Sequence, residues 1–231
     1  MKKIIKAIYN LRFLKNLRNY IRTKRLTSSS DGQISLQTIE GKAIYEFINE
    51  NDFKTILEIG TWNGLGSTKT VIEAIKNKSY EVNFLSLETD KIAYKYAKKN
   101  LKESSEFVDI IYGRIIEVDE LPSLNTIDFE YFGFDKKNSE WYIQDLRRYS
   151  KTKNVFSDLP EFIDFIIFDG GEFSTFVEFI KLWKRTKFFA LDDIKTYKQY
   201  EVLKFINENE ENFKLIKELE NFSIYEVLGD S

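Results

Sequence analysis

The chain of 231 residues contains no cysteine, no histidine, two prolines and one methionine. Without cysteine there is no disulfide, no thiolate nucleophile and no zinc–thiolate centre. Without histidine, the side chain that most often moves protons near neutral pH is missing. Any such step falls to a tuned Asp, Glu, Lys or Tyr, or to a metal-bound oxygen. The same zero excludes Ser-His-Asp triads, histidine–zinc hydrolases and histidine phosphotransfer. No apolar run reaches the roughly 18 residues that a membrane-spanning helix needs. The N-terminus lacks the apolar core and small-residue cleavage site of a secretory signal, so a cytoplasmic location is expected.

What is present is globular in character: 42% hydrophobic and 16% aromatic residues, enough to close a substantial core in one large α/β domain or a domain with an appendage. The abundance of Lys, Ile, Asn, Phe and Tyr matches AT-rich bacterial coding. The net charge of −2 hides an asymmetry. Residues 1–25 hold nine cations and no acid, leaving 26 cations against 37 acids in the rest. Within that basic segment Ile4, Ile8, Leu11, Leu14, Leu17 and Ile21 recur at helical spacing, which predicts an amphipathic helix followed by a polar linker, together residues 1–35. Two readings stay open. The helix is a peripheral foot on an anionic inner membrane face or a grip on an acidic partner, or it packs on its own acidic domain or in a homodimer interface. Nucleic acid is not expected, because the remainder is acidic and carries no base-reading motif.

Residues 36–231 alternate between two periodicities. Strands are predicted at 54–59, 82–88, 108–112, 164–169 and 186–191, and helices at 65–77, 90–102, 173–184 and 196–208. Residues 212–228 read as a β-hairpin around Glu220-Asn221. The expected fold is α/β: a Rossmann-like, doubly wound sheet, mostly parallel, with an antiparallel C-terminal hairpin strand. One segment, 114–163, is far longer than an ordinary connection. Its "SEWYIQDLRRY" is predicted helical with Ser139 as N-cap, and the whole is either a substrate lid or extra packing on the sheet edge.

The chemistry concentrates at strand ends. "ILEIGTWNGLGSTKT" (56–70) places three of the ten glycines, Gly60, Gly64 and Gly66, within seven positions after an apolar strand. A dinucleotide turn needs G-x-G-x-x-G. Here the spacing is G-x-x-x-G-x-G, and bulky Trp62 stands at the place of the second glycine. Glu58, two residues before Gly60, would repel phosphates and suits a cationic ligand. A second strand, "VNFLSLETD", ends in Glu88, a carboxylate able to accept hydrogen bonds from both ribose hydroxyls.

These residues resemble the class I S-adenosylmethionine-dependent methyltransferases, closest to their macrocin O-methyltransferase and cephalosporin hydroxylase-like branch. Their first motif is an acid, x-Gly, and a second glycine four positions on, matched by Glu58, Gly60 and Gly64. The resemblance implies a seven-stranded sheet and a cofactor site at Glu58, Gly60, Thr61, Trp62, Gly64, Ser67, Glu88, Thr89, Gly113, Arg114 and Asp169. It implies S-adenosylmethionine as cofactor and a small-molecule or saccharide hydroxyl as methyl acceptor.

Further acids follow: Asp169 at the end of the fourth strand, Asp192 and Asp193 at the end of the fifth. Converging there, they would repel unless neutralised. The chain is similar at these positions to metal-dependent O-methyltransferases, which implies Asp169, Asp192 and Asp193 as Mg2+ ligands. Other roles stay open: Asp193 as a helix N-cap, Asp169 as partner of the cofactor's ammonium. Relatives with "DGxH" after the fourth strand carry histidine where this chain has Glu172. The catalytic candidates are therefore Asp169, Glu172 and Lys195, with Tyr197 beside the last. Two alternatives compete with this activity. One is a binding module of the same fold without turnover. The other is a nicotinamide-dependent sugar reductase or epimerase, whose Tyr-x-x-x-Lys occurs as Tyr94 and Lys98 but too early in the chain to reach the chemistry.

Overall fold

The structure is a computed structural model that describes Leu26, residues 33–127 and residues 136–229. The helix predicted for residues 1–25, with its membrane and dimer readings, lies outside the described residues.

The sheet has seven strands: β1 (Thr55–Ile59), β2 (Asn83–Glu88), β3 (Asp109–Tyr112), β4 (Ile163–Phe168), β5 (Thr186–Asp192), β6 (Phe213–Leu219) and β7 (Phe222–Val227). Their order is β3-β2-β1-β4-β5-β7-β6, parallel throughout β3 to β5, with β7 antiparallel to both β5 and β6. The expected hairpin is therefore present, and its return strand inserts beside β5.

Six helices are described: α1 (Ile39–Glu50), α2 (Ser67–Ile75), α3 (Lys91–Asn100), α4 (Lys136–Tyr149), α5 (Thr175–Leu182) and α6 (Tyr197–Glu208). Local chemistry sets their starts. Thr38 Oγ1 accepts from Gly41 N to open α1, and the Asp90 carboxylate accepts from Ile92 N and Ala93 N to open α3. Helix α4 is described from Lys136, three residues before Ser139, so Ser139 lies inside it and is not its cap.

The central strands read as near-continuous apolar runs because both faces are covered. Along β4, Phe165 and Ile167 point to one side, where they pack with Ile44 and Ile48 of α1, Val71 and Ile72 of α2 and Ala97 of α3. Ile166 and Phe168 point to the other, with Phe179 of α5 and Val202 and Ile206 of α6. That second layer is aromatic: Phe179 meets Phe189 edge-on at 5.2 Å between ring centroids. The long 114–163 segment is stitched at its base, where Arg114 N donates to Lys153 O (2.9 Å) and Val155 N to Arg114 O (2.8 Å). Its helix α4 returns Tyr149 to the core, 3% exposed. Among the described residues no helix is long and apolar enough to cross a membrane.

Candidate active site

From β1 the chain winds outward to β3 and then returns to β4 on the other side of β1. The β1/β4 boundary is thus a switch point, where adjacent connections leave in opposite directions and open a crevice at the strand ends. A cavity of about 280 Å3 lies there, walled by Gly60, Trp62, Glu88, Gly113, Asp169 and Asp192 among others.

Gly60 is required by two constraints at once. Its φ of +103° is left-handed, and a Cβ would stand 2.1 Å from the Asp169 carbonyl oxygen. Trp62 takes a φ of +50° without being glycine. Its N–H donates to Glu88 Oε2 at 2.7 Å, a charge-assisted bond that holds the turn in this conformation. Gly64, at φ +76°, lets the turn approach α3, since a Cβ would meet Leu101 Cδ1 at 2.6 Å.

Glu88 faces the cavity with each oxygen taking one backbone donor: Trp62 N on Oε2 and Asp90 N on Oε1 at 2.6 Å. Each oxygen keeps a further lone pair, which suits a vicinal diol. Burial pushes its pKa up to about 7 against these two bonds.

Glu58 is fully buried and does not line the cavity wall. Its Oε2 accepts from Thr68 Oγ1 (2.6 Å) and from Ser86 Oγ, and Ser86 Oγ also meets Thr61 Oγ1 at 2.6 Å. Its Oε1 has no hydrogen-bond partner. Burial raises Glu58 to about 7, with Ser67, Ser86 and Thr68 opposing. Thr61 and Ser67 therefore act behind the turn, in the network that holds Glu58. Thr89, Gly113 and Arg114 line the cavity. The Arg114 guanidinium is committed to the insertion: Nε donates to Thr152 O at 2.9 Å, and Nη1 to Ile116 O and Glu117.

The three aspartates do converge. Asp169, Asp192 and Asp193 each offer an oxygen within 4.8 Å of the others. Asp193 sits at φ +59° and accepts from Asn221 Nδ2 at 2.9 Å. It does not cap α6, whose N-cap is Thr196. A residue that sequence reasoning missed lies among the acids. Lys198 Nζ is 2.8 Å from Asp169 Oδ1, 3.2 Å from Asp193 Oδ2 and 3.9 Å from Asp192 Oδ2. Burial pulls the lysine's pKa down, and the three carboxylates overcome this and hold it above its ordinary value. Burial and then Asp169 push Asp192 up to about 8. Mg2+ demands octahedral oxygens at roughly 2.0–2.1 Å. With an ammonium already bonded to the acids, the present arrangement does not fit that ion.

The other catalytic candidates lie elsewhere. Lys195 points outward to the exposed Glu220 at 3.0 Å and lines no part of this cavity. Glu172 turns to the start of α6, where Oε1 accepts from Lys198 N at 3.2 Å. It borders a second cavity of about 270 Å3 with Phe173, Tyr197 and Lys198. Of the three, Asp169 alone reaches the crevice.

The 114–163 segment is a lid candidate by sequence, but no residue of its helix α4 is among the sequence-predicted site residues. Asp145, Arg148 and Tyr149 line the cavity, and Arg148 Nε pairs with Asp90 Oδ2 at 3.1 Å. Tyr149 donates to Glu178 Oε1 (2.8 Å) and Ser174 to Glu178 Oε2 (3.2 Å), yet burial still raises Glu178 to about 7. The available signal was the (i, i+3) pairing of Asp145 with Arg148 at 3.0 Å, in a helix already placed beside the strand ends.

No family model and no curated protein matches the chain. Solved structures do. An O-methyltransferase from Bacillus cereus in complex with S-adenosylhomocysteine aligns with TM-score 0.55 at 12% identity, over 91% of this chain and 88% of that one. The O-methyltransferase TomG from Streptomyces achromogenes, bound to S-adenosylmethionine, aligns with TM-score 0.53 at 13% identity, over 85% and 82%. Cofactor-bound Rv0187 from MTB gives 0.57 at 13% identity, over 91% and 88%. At such identities the likeness is one of architecture. The chain has the Rossmann-like fold of the class I methyltransferases.

Proposed function

We propose that the protein is an S-adenosylmethionine-dependent methyltransferase acting on a hydroxyl of a small molecule, with sugars and glycoconjugates as the acceptor class the resemblance favours. One observation carries this reading. Glu88 closes β2 at the switch point, opposite the Gly60 turn, with both oxygens anchored by backbone donors and open to a diol. A pyrophosphate is disfavoured here, since Glu88, Asp145, Asp169, Glu178, Asp192 and Asp193 all line this crevice and would repel it.

When bound, S-adenosylmethionine supplies an electrophilic methyl group on a sulfonium. Little covalent chemistry is then asked of the chain, and alignment of nucleophile with methyl is the main contribution. Glu88 would hold the ribose, Gly60 and Gly113 admit the ligand close to backbone, and α4 covers the site with Arg148 and Tyr149. Asp169, the catalytic candidate that lines the crevice, would receive the acceptor hydroxyl's proton. Calorimetric titration with S-adenosylhomocysteine and, separately, NAD tests the proposal. Binding of the first alone is expected. Binding of NAD alone would replace it with the reductase reading. Cofactor binding without turnover across an acceptor panel would favour a binding module.

A further inference from the structure

Inserting a lysine into the first turn of α6 is unfavourable on two counts. The positive end of the helix dipole repels it, and its side chain is 5% exposed, so its charge is stripped of water. Both costs are offset at one place, among Asp169, Asp192 and Asp193. The acids have the complementary need. They end adjacent parallel strands, and without a cation between them like charges crowd a low-dielectric crevice. Each side of this cluster explains the other.

We propose that Lys198 is the resident counter-cation of the acid cluster, held where a divalent ion would otherwise sit, so that this site works without metal. The proposal rests on the methyltransferase reading and deepens it. Two N–H bonds of the ammonium go to Asp169 Oδ1 and Asp193 Oδ2. Asp192 Oδ2, at 3.9 Å, is beyond hydrogen-bond reach, so the third N–H is left for a ligand oxygen. Lys198 also stands at a partition. Its acid partners line the cofactor cavity, while Lys198 itself lines the second cavity with Phe173, Phe176 and Tyr197. An acceptor hydroxyl entering from that aromatic side meets a fixed positive charge beside the Asp169 carboxylate. The ammonium thus serves as a positioning group, supplying the charge and orientation that a hard cation would give a bound oxygen.

The distinguishing readout is metal binding by the full-length chain, measured by calorimetric titration with MnCl2 in the presence of saturating S-adenosylhomocysteine. Wild type is expected to give no site. Lys198→Ala is expected to gain one Mn2+ per chain, at least about tenfold tighter than any residual association seen with wild type, once the competing charge is gone. That gain disappears again in Lys198→Ala/Asp169→Asn. Lys198→Ser, which keeps a small polar group, serves where the alanine variant does not fold. One Mn2+ bound by wild type, or a flat titration for a folded Lys198 variant, overturns the proposal. Failure of S-adenosylhomocysteine to bind wild type would instead strike the methyltransferase reading, so the two outcomes are separable.

Discussion

Replacing Glu88 by glutamine probes the assignment on which the cofactor site depends. The carboxylate accepts from Trp62 N at 2.7 Å and Asp90 N at 2.6 Å, and both bonds are short and charge-assisted. Glutamine offers one acceptor oxygen and one donor amide. Whichever way it turns, one backbone N–H faces an N–H, and one ribose hydroxyl loses its charged acceptor. The first loss belongs to folding: a buried donor left unmade costs about 1–3 kcal/mol. For a chain of this size that lowers the unfolding midpoint by about 3–10 °C. The second loss belongs to binding: one hydrogen bond to a charged group, about 1.5–3 kcal/mol, weakens S-adenosylhomocysteine by about 10- to 150-fold. Thermal unfolding and calorimetric titration on the same preparation separate the two. A folded Glu88→Gln variant that binds S-adenosylhomocysteine within about twofold of wild type would refute the ribose assignment.

Three further outcomes follow from the same geometry. Glu88 has a pKa of about 7 in the free protein, and ligand hydroxyls favour its charged form, so affinity for S-adenosylhomocysteine is expected to fall about tenfold from pH 8 to pH 6; a flat profile by calorimetry contradicts this. Burial pushes the Glu178 pKa from its ordinary 4.5 up to about 7, so the native state retains a proton that the unfolded chain releases. Its contribution is fully present below about pH 4.5 and is lost as pH rises through 7, up to about 3 kcal/mol. Glu178→Gln should therefore lessen the decline of the unfolding midpoint between pH 5 and 8, and an unchanged decline would show that Glu178 does not titrate in this range. Gly60→Ala forces a Cβ to within 2.1 Å of the Asp169 carbonyl oxygen at a φ of +103°. The β1–β4 junction must then shift, and loss of S-adenosylhomocysteine binding is expected alongside a fall in stability of about 2 kcal/mol or more; a normal affinity by titration would mean the turn is not the binding element.

The elements legible in the sequence are those whose signal is local. The β4 run "IDFIIF" declares a strand covered on both faces, and the strands predicted at 54–59 and 82–88 lie within one residue of β1 and β2 at each end. The Gly60 turn is legible because only a few residue types reach positive φ. Even there Trp62 at φ +50° breaks the rule, and the reason is the bond its N–H donates to Glu88, 26 positions away. The position of Ser139 inside α4 has a simpler cause: it is a good cap by type, but residues 136–138 before it are already helical.

The acid cluster marks where local reading stops. Three aspartates at the ends of two adjacent parallel strands are visible in the sequence as a charge problem, and a divalent ion was one solution. The other solution lies five residues past Asp193, in a stretch where Lys195 and Lys198 are equivalent by residue type. Helix geometry separates them. With Thr196 as the N-cap, Lys195 precedes the helix and escapes to Glu220 at the surface, while Lys198 in the first turn is carried inward over the strand ends. A lysine buried at the positive end of a helix is so poorly placed by every local criterion that its partners must be tertiary. Its local misfit points to the acids as surely as their mutual repulsion points to a cation, and the spacing from Asp193 to Lys198 is the feature to test in related chains that lack histidine after β4.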